Sequence, residues 1–301
     1  MRTLRSLQNI IADAMTAGTK YSWQGCSMLN GLLVKLESFY PNLQTVATAA
    51  EFATVGNQVE FIRADQPGPL EVIDSTFDLY GSRVDYTITE DTVRGFGSVS
   101  GASGFNGPVF TFPDFASPAG LSLNDVTIIG ASTLGVADED VTVSKSQLFI
   151  NLEGLPFDEG DTLFLRLGFN ISGGRRADHI SGDLGNDRLF GLAGKDHLFG
   201  DVGEDVLLGG DGRDTLDGGR GNDRLFGEAG ADVFVLSDQG VDRALDFNPD
   251  EDRVRVESGA DGFGDLDLFQ RPNGVAVADG NSRMFLAGVT VDEVDAHWFI
   301  F

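Results

Sequence analysis

A nine-residue period runs unbroken from Gly173 to Val235 and constrains this chain more than any other feature. One complete unit is Gly209-Gly210-Asp211-Gly212-Arg213-Asp214-Thr215-Leu216-Asp217, and seven consecutive units follow the pattern G-G-x-G-x-D-x-U-x, with U a large apolar residue and the second glycine missing from units two, three, four and seven. The sixth position is always aspartate: Asp178, Asp187, Asp196, Asp205, Asp214, Asp223 and Asp232. The eighth is always apolar: Ile180, Leu189, Leu198, Leu207, Leu216, Leu225 and Phe234. A repeat this short cannot bury its apolar residue alone, so neighbouring units must stack into a solenoid.

Each unit reads as a six-residue turn followed by a three-residue strand. Glycine supplies the positive-φ conformations such a turn needs and lets backbone carbonyls approach a cation. Strand side chains alternate faces, so the eighth position points inward and the seventh and ninth point outward. Two units make one coil of a parallel β-roll, with successive coils about 4.8 Å apart. Odd units then align Asp178, Asp196, Asp214 and Asp232 on one edge, and even units align Asp187, Asp205 and Asp223 on the other. Such ladders of like charge oppose folding. A hard cation taking six to eight oxygen ligands would neutralise them, with turn carbonyls completing the shell, so folding is expected to be coupled to metal binding. The seven aspartates are the candidate metal ligands. Asp178 is the weakest of them, because Arg176 stands where the first unit should have glycine. One ion between each stacked pair of turns gives about five ions.

The pattern resembles the calcium-binding nonapeptide repeat of RTX (hemolysin-type) proteins. The likeness extends past the repeats. Asp242-Arg243-Ala244-Leu245-Asp246-Phe247, followed by Asp252-Arg253-Val254-Arg255-Val256, is similar to the D-x-x-x-D-F…D-x-I-x-L stretch that follows such rolls. The resemblance implies calcium as the bound metal, an extracellular protein, and the type I secretion machinery as a partner that reads an uncleaved C-terminal signal. The ending Asp295-Ala296-His297-Trp298-Phe299-Ile300-Phe301, an acid followed by a short apolar tail, resembles the terminal signature of such substrates. Met1 to Leu7 lacks the apolar core of an N-terminal signal peptide. A chain unfolded in low calcium can thread a narrow channel and fold in the calcium outside. Asp246, Asn248, Asp250 and Asp252 alternate like a calcium loop, but Glu251 stands where an EF-hand requires glycine, so this stretch reads as a turn.

The formal net charge of −26 over 301 residues argues against nucleic acid and anionic membranes as partners. Cys26 is the single cysteine, so no internal disulfide framework is expected. No apolar run approaches the about 18 residues of a transmembrane segment.

The expected fold is mostly β. N-terminal helices and an antiparallel β-sandwich precede a calcium-bound parallel β-roll, which a C-terminal β cap closes. The corresponding divisions are a helical segment over 1–44, a sandwich over 45–171, the roll over 172–235, and a cap with the secretion signal over 236–301. Leu4, Leu7, Ile11 and Met15 share one helical face, and Leu29, Leu32, Leu33 and Leu36 another. Strands are expected at 59–62, 77–80, 84–88, 109–112, 126–129, 147–150 and 162–165, where β-branched and aromatic residues recur between turn signals. On the roll, the ninth positions of the even units are Phe190, Leu208 and Phe226, an apolar row that should pack against something, with the neighbouring domain favoured.

Catalytic motifs are scarce. The three histidines, His179, His197 and His297, all lie beyond residue 171, which removes an H-E-x-x-H zinc site and a Ser-His-Asp triad from the N-terminal part. His179 and His197 occupy the seventh position of repeats one and three and should stack on one face. The reading favoured is a non-enzymatic secreted calcium-binding protein that attaches to a surface or a cell-surface polysaccharide. The alternatives are a calcium-driven self-assembling matrix or surface-layer component, and a polysaccharide hydrolase using paired carboxylates.

Overall fold

The computed structural model describes residues 33–39, 51–54, 74–80, 83–90, 107–112, 120–129, 132–133, 135–151, 162–237 and 240–301. The chain divides into two units, Met1–Leu167 and Gly168–Phe301.

In the first unit the described strands are β1 (Leu33–Phe39), β2 (Glu51–Thr54), β3 (Asp74–Tyr80), β4 (Arg83–Glu90), β5 (Gly107–Thr111), β6 (Leu121–Ile128), β7 (Val141–Ser144), β8 (Gln147–Ile150) and the start of β9 (Thr162–Ser172). Five of them pair antiparallel in the order β2-β1-β5-β8-β7. β3 and β4 form a second antiparallel pair, and β4 pairs with β9 through Arg83↔Arg166 to Thr87↔Thr162. Alternation drives these strands. Leu163, Leu165 and Leu167 of β9 are buried while Thr162, Phe164 and Arg166 between them are less so.

The expectation of N-terminal helices needs correction. Leu33 and Leu36 fit one helical face, yet Leu33–Phe39 is a strand held between β2 and β5. A short apolar run fits either period, and the edge-to-edge partners supplied by residues 51–54 and 107–111 decide in favour of extended chain. Among the described residues the helical elements are three-residue 3-10 turns. The first expected helix and the expected strand at 59–62 lie outside the described residues. The other expected strands fall within or across the ends of β3, β4, β5, β6, β8 and β9, while β1, β2 and β7 were not anticipated.

The second unit is the solenoid. Its odd repeats give β10 (His179–Ser181), β12 (His197–Phe199), β14 (Thr215–Asp217) and β16 (Val233–Leu236), and its even repeats give β11 (Arg188–Gly194), β13 (Val206–Gly212) and β15 (Arg224–Gly230). All pair in parallel with the neighbour one coil away. Leu189 stands opposite Leu207 and Leu207 opposite Leu225, while Ile180, Leu198, Leu216 and Phe234 line up on the other side. Leu189, Leu198, Leu207, Leu216, Leu225 and Phe234 are fully buried, and together they form the core between the two stacks. Each such side chain contributes about 1.5–3 kcal/mol by leaving water. The even strands are longer than the expected three residues, because pairing continues over the next turn through Leu192↔Gly210 and Gly194↔Gly212.

The period ends at Val235 but the stacking does not. β17 (Gly240–Ala244) pairs in parallel with β15, and β18 (Arg253–Val256) with β16. β21 (Ser282–Ala287) then pairs with β17 in parallel, and β19 (Asp267–Arg271) and β20 (Gly274–Asp279) complete an antiparallel meander with it. The last strand, β22 (Phe299–Ile300), lies parallel to β18. Phe247 packs 5.9 Å from Phe234 and 5.6 Å from Trp298, so aromatic rings close the open end of the leucine core. A solenoid needs such a lid, because its last coil otherwise presents apolar groups to water.

Candidate metal centre

The sixth-position aspartates form two ladders, and each rung is tied the same way. One carboxylate oxygen, Oδ1, accepts the backbone N–H of the residue one coil earlier, an aspartate in every case but Phe169. On the odd edge Asp178 donates to Asp196, Asp196 to Asp214, and Asp214 to Asp232, each at 2.8 Å. On the even edge Phe169 donates to Asp187 at 2.6 Å, Asp187 to Asp205 at 2.7 Å, and Asp205 to Asp223 at 2.8 Å.

The second oxygen is left over. Oδ2 of Asp187, Asp196, Asp205, Asp214, Asp223 and Asp232 is buried and has no hydrogen-bond partner. A buried carboxylate oxygen without a donor is costly. Asp178 differs, since its Oδ2 accepts the Gly174 N–H at 2.7 Å, and it is only half-buried.

Backbone carbonyls converge on these oxygens. A Cβ placed on Gly182 would stand 2.5 Å from Asp187 Oδ2 and 2.8 Å from the Gly200 carbonyl oxygen. On Gly209 it would stand 2.7 Å from Asp214 Oδ2 and 2.8 Å from the Gly227 carbonyl. The first glycine of each of the first five repeats thus keeps a carboxylate oxygen and a carbonyl oxygen facing one space, which any side chain would fill. The fourth-position glycine has a different reason. In Gly203 (φ +159) an added Cβ would collide with the Gly185 carbonyl of the preceding coil.

Electrostatics reports the same strain. Burial pushes Asp187 up to about 9, with the Asp205 charge adding to it. Burial likewise raises Asp205 to about 8, Asp232 to about 7, and Asp196 and Asp223 to about 6, and it raises Asp214. Desolvated carboxylates in a row hold protons unless a cation replaces them.

Two ladder members escaped the sequence reading. Asp223 N–H donates to Asp242 Oδ1 at 3.1 Å, and Asp232 N–H to Asp252 Oδ1 at 2.9 Å. Both acids are buried, and burial raises both, Asp242 to about 8. Their spacings from Asp223 and Asp232 are 19 and 20 residues instead of 18, so a strict period stops before them. The signal that could have found them is the D-x-x-x-D-F…D stretch itself. Asp242 and Asp252 are its ladder acids, Phe247 is its core aromatic, and Asp246 takes the N–H groups of Gly227 and Glu228 at 2.9 Å. Asn248 to Asp252 form a turn, with the Asn248 N–H on Asp252 Oδ2. His179 and His197 stack as expected, with centroids 4.6 Å apart and planes within 3°. Burial and the neighbouring His179 lower the His197 pKa.

No group of three or more His, Cys, Asp or Glu with metal-holding geometry occurs among the described residues. A cation here must therefore draw on carbonyl oxygens as well as carboxylates, which suits a hard ion with many oxygen ligands. The model of the RTX calcium-binding nonapeptide repeat, in four copies, matches residues 172–207 and 208–238.

These residues are RTX calcium-binding repeats.

RTX nonapeptide repeats are calcium-binding motifs, and buried carboxylate oxygens without a donor have the chemistry that a hard oxygen-seeking cation requires. Among solved structures, the extracellular lipase LipA from Serratia marcescens matches at 24% identity over 54% of this chain and 26% of the lipase, with a TM-score of 0.32. The AlgE6R3 subunit of the Azotobacter vinelandii mannuronan C5-epimerase matches at 29% identity over 42% of this chain and 80% of that subunit, with a TM-score of 0.18. The AlgE6R2 subunit of the same enzyme matches at 24% identity over 44% of this chain and 91% of that subunit, with a TM-score of 0.21. The chain thus spans about a quarter of the lipase's length. No curated protein matches it.

Proposed function

We propose that this chain is a secreted calcium-binding RTX protein of non-enzymatic character, which attaches to a surface or its polysaccharide once calcium has folded the roll. The observation that carries this reading is the set of six buried carboxylate oxygens without a partner, three on each ladder. They make the metal-free roll unfavourable and the calcium-bound one favourable, which turns folding into a response to the calcium outside a cell. Asp178, Asp187, Asp196, Asp205, Asp214, Asp223 and Asp232 supply the carboxylates, and Asp242 and Asp252 continue their ladders.

Export by the type I machinery is part of the proposal. Trp298 and Phe299 are buried in the cap, so an apolar C-terminal signal is readable only before the chain folds. Low cytosolic calcium keeps it unfolded until it has crossed. The division into a roll over 172–235 and a cap over 236–301 belongs to the same reading.

The test mixes the intact chain with cells and with extracted exopolysaccharide, in calcium or in chelator. Sedimentation with the surface only in calcium, without release of reducing ends, supports attachment. Release of reducing ends, or no sedimentation in either condition, overturns it.

A further inference from the structure

The net charge of −26 conceals a face of the opposite sign. Leu189, Leu207, Leu225, Ala244, Met284 and Leu286 point into the core, so the residues beside them in the same strands point outward. One row across the outer face of this sheet reads Phe285, Arg243, Arg224, Val206, Arg188, each registered opposite the next. Arg188, Arg224, Arg243 and Arg283 are exposed. None of them has an ion-pair partner among the described residues. Arg224 and Arg243 stand opposite each other on adjacent parallel strands about 4.8 Å apart, where like charges repel.

Beside the arginines, two residues along each strand, run Phe190, Leu208 and Phe226 in register and half-buried. The Arg224 guanidinium lies 5.8 Å from the Phe226 ring centroid. The face therefore offers an apolar strip bordered by Arg188, Arg224 and Arg243.

We propose that this outer face binds an acidic linear polysaccharide, one whose carboxylates or sulfates meet the arginines while its sugar rings lie along the Phe190–Leu208–Phe226 strip. The proposal rests on the attachment reading above. It names the ligand class and places it on the roll. Charge complementarity selects the class. Duplex nucleic acid carries one charge per about 1.7 Å, and the rest of this acidic chain repels so dense a polyanion. An acidic polysaccharide spaces its charges more widely, and the faces of its rings suit a flat apolar strip. An anionic bilayer would need protruding apolar anchors, whereas these three side chains lie partly buried. The calcium ladders sit on the edges of the roll, so calcium would assemble this face without taking part in the contact.

The experiment uses the intact chain in calcium and measures binding to dextran sulfate and to uncharged dextran, which share a backbone and differ in charge. Dextran sulfate should bind and dextran should not, and salt near 1 M, where the Debye length is about 3 Å, should abolish binding. The double variant Arg224→Gln/Arg243→Gln should bind about tenfold more weakly while its calcium-dependent circular dichroism stays as in the parent, and Arg213→Gln, in a turn off this face, should bind as the parent does. Equal binding of both dextrans, absence of binding, or an unaffected double variant overturns the proposal. So does tighter binding to phosphatidylserine vesicles or to duplex DNA. If the chain still sediments with cells in calcium while dextran sulfate fails to bind, this site is wrong and attachment stands.

Discussion

The Asp187 backbone N–H donates to Asp205 Oδ1 at 2.7 Å, across one full coil of the roll. That bond uses one oxygen of the carboxylate and leaves the other buried without a donor. The two oxygens therefore do different work, and substitutions can separate them. Asp205→Asn keeps an acceptor for Asp187 but loses the charge, whereas Asp205→Ala loses both and strands a buried N–H, which costs about 1–3 kcal/mol more. Both variants should need more calcium to fold than the parent, and Asp205→Ala the most. Calcium titrations followed by far-ultraviolet circular dichroism check this, and identical midpoints for all three proteins would remove Asp205 from the ladder.

Acid should act in opposite directions with and without calcium. Burial raises Asp187 to about 9, Asp205 to about 8 and Asp232 to about 7, from an ordinary 3.8. A carboxyl whose folded pKa lies above its unfolded value favours the fold fully below the unfolded value, and that contribution is lost as pH rises through the folded one. The metal-free roll should thus gain structure as pH falls from about 9 toward 4. In calcium the carboxylates must be ionised, so the calcium needed for folding should rise as pH falls, and binding should release protons. Circular dichroism in chelator across this range decides the first point. A steady loss of β signal on acidification in chelator would contradict it.

Two backbone positions make a matched pair. Leu192 sits at φ +74 and is 52% exposed, whereas Gly203 sits at φ +159 against the Gly185 carbonyl. Leu192→Gly relieves a left-handed strain of about 1–2 kcal/mol, part of which returns as unfolded-state entropy. The variant should be more stable by up to about 1 kcal/mol. Gly203→Ala forces adjacent coils apart and should cost at least about 1–3 kcal/mol. Denaturant unfolding in saturating calcium compares them, and a more stable Gly203→Ala would mean that the coils are not in contact there.

The same contacts explain what could be read from the sequence. The position-eight residues Leu189 to Phe234 and the two ladders were legible, because the nine-residue period states both the inward face and the stacking partner. Asp242 and Asp252 were not, because insertions of one and two residues carry them out of phase while the hydrogen bond to the coil below survives. Leu33 to Phe39 misled, since its leucines fit a helix and only the distant segments 51–54 and 107–111 make it a strand. The arginine face was hidden for a third reason. Arg188, Arg224, Arg243 and Arg283 come from four strands, and net charge averages them with acids that lie elsewhere.

The cap should govern the last coils. Trp298 is buried and packs 5.6 Å from Phe247 at the end of the core. Trp298→Ala should cost about 3–5 kcal/mol. Amide exchange should quicken first in β16, β18 and β22 and least in β11. Uniform acceleration along the roll would show that stability does not depend on this lid.

Calcium-coupled folding is tested most directly by titrating the chelated, intact chain with calcium at neutral pH while following far-ultraviolet circular dichroism and bound metal together. The β signal of the roll should grow in step with calcium uptake and vanish when chelator is restored. Full β signal in chelator, with no change as calcium is added, would contradict the central claim.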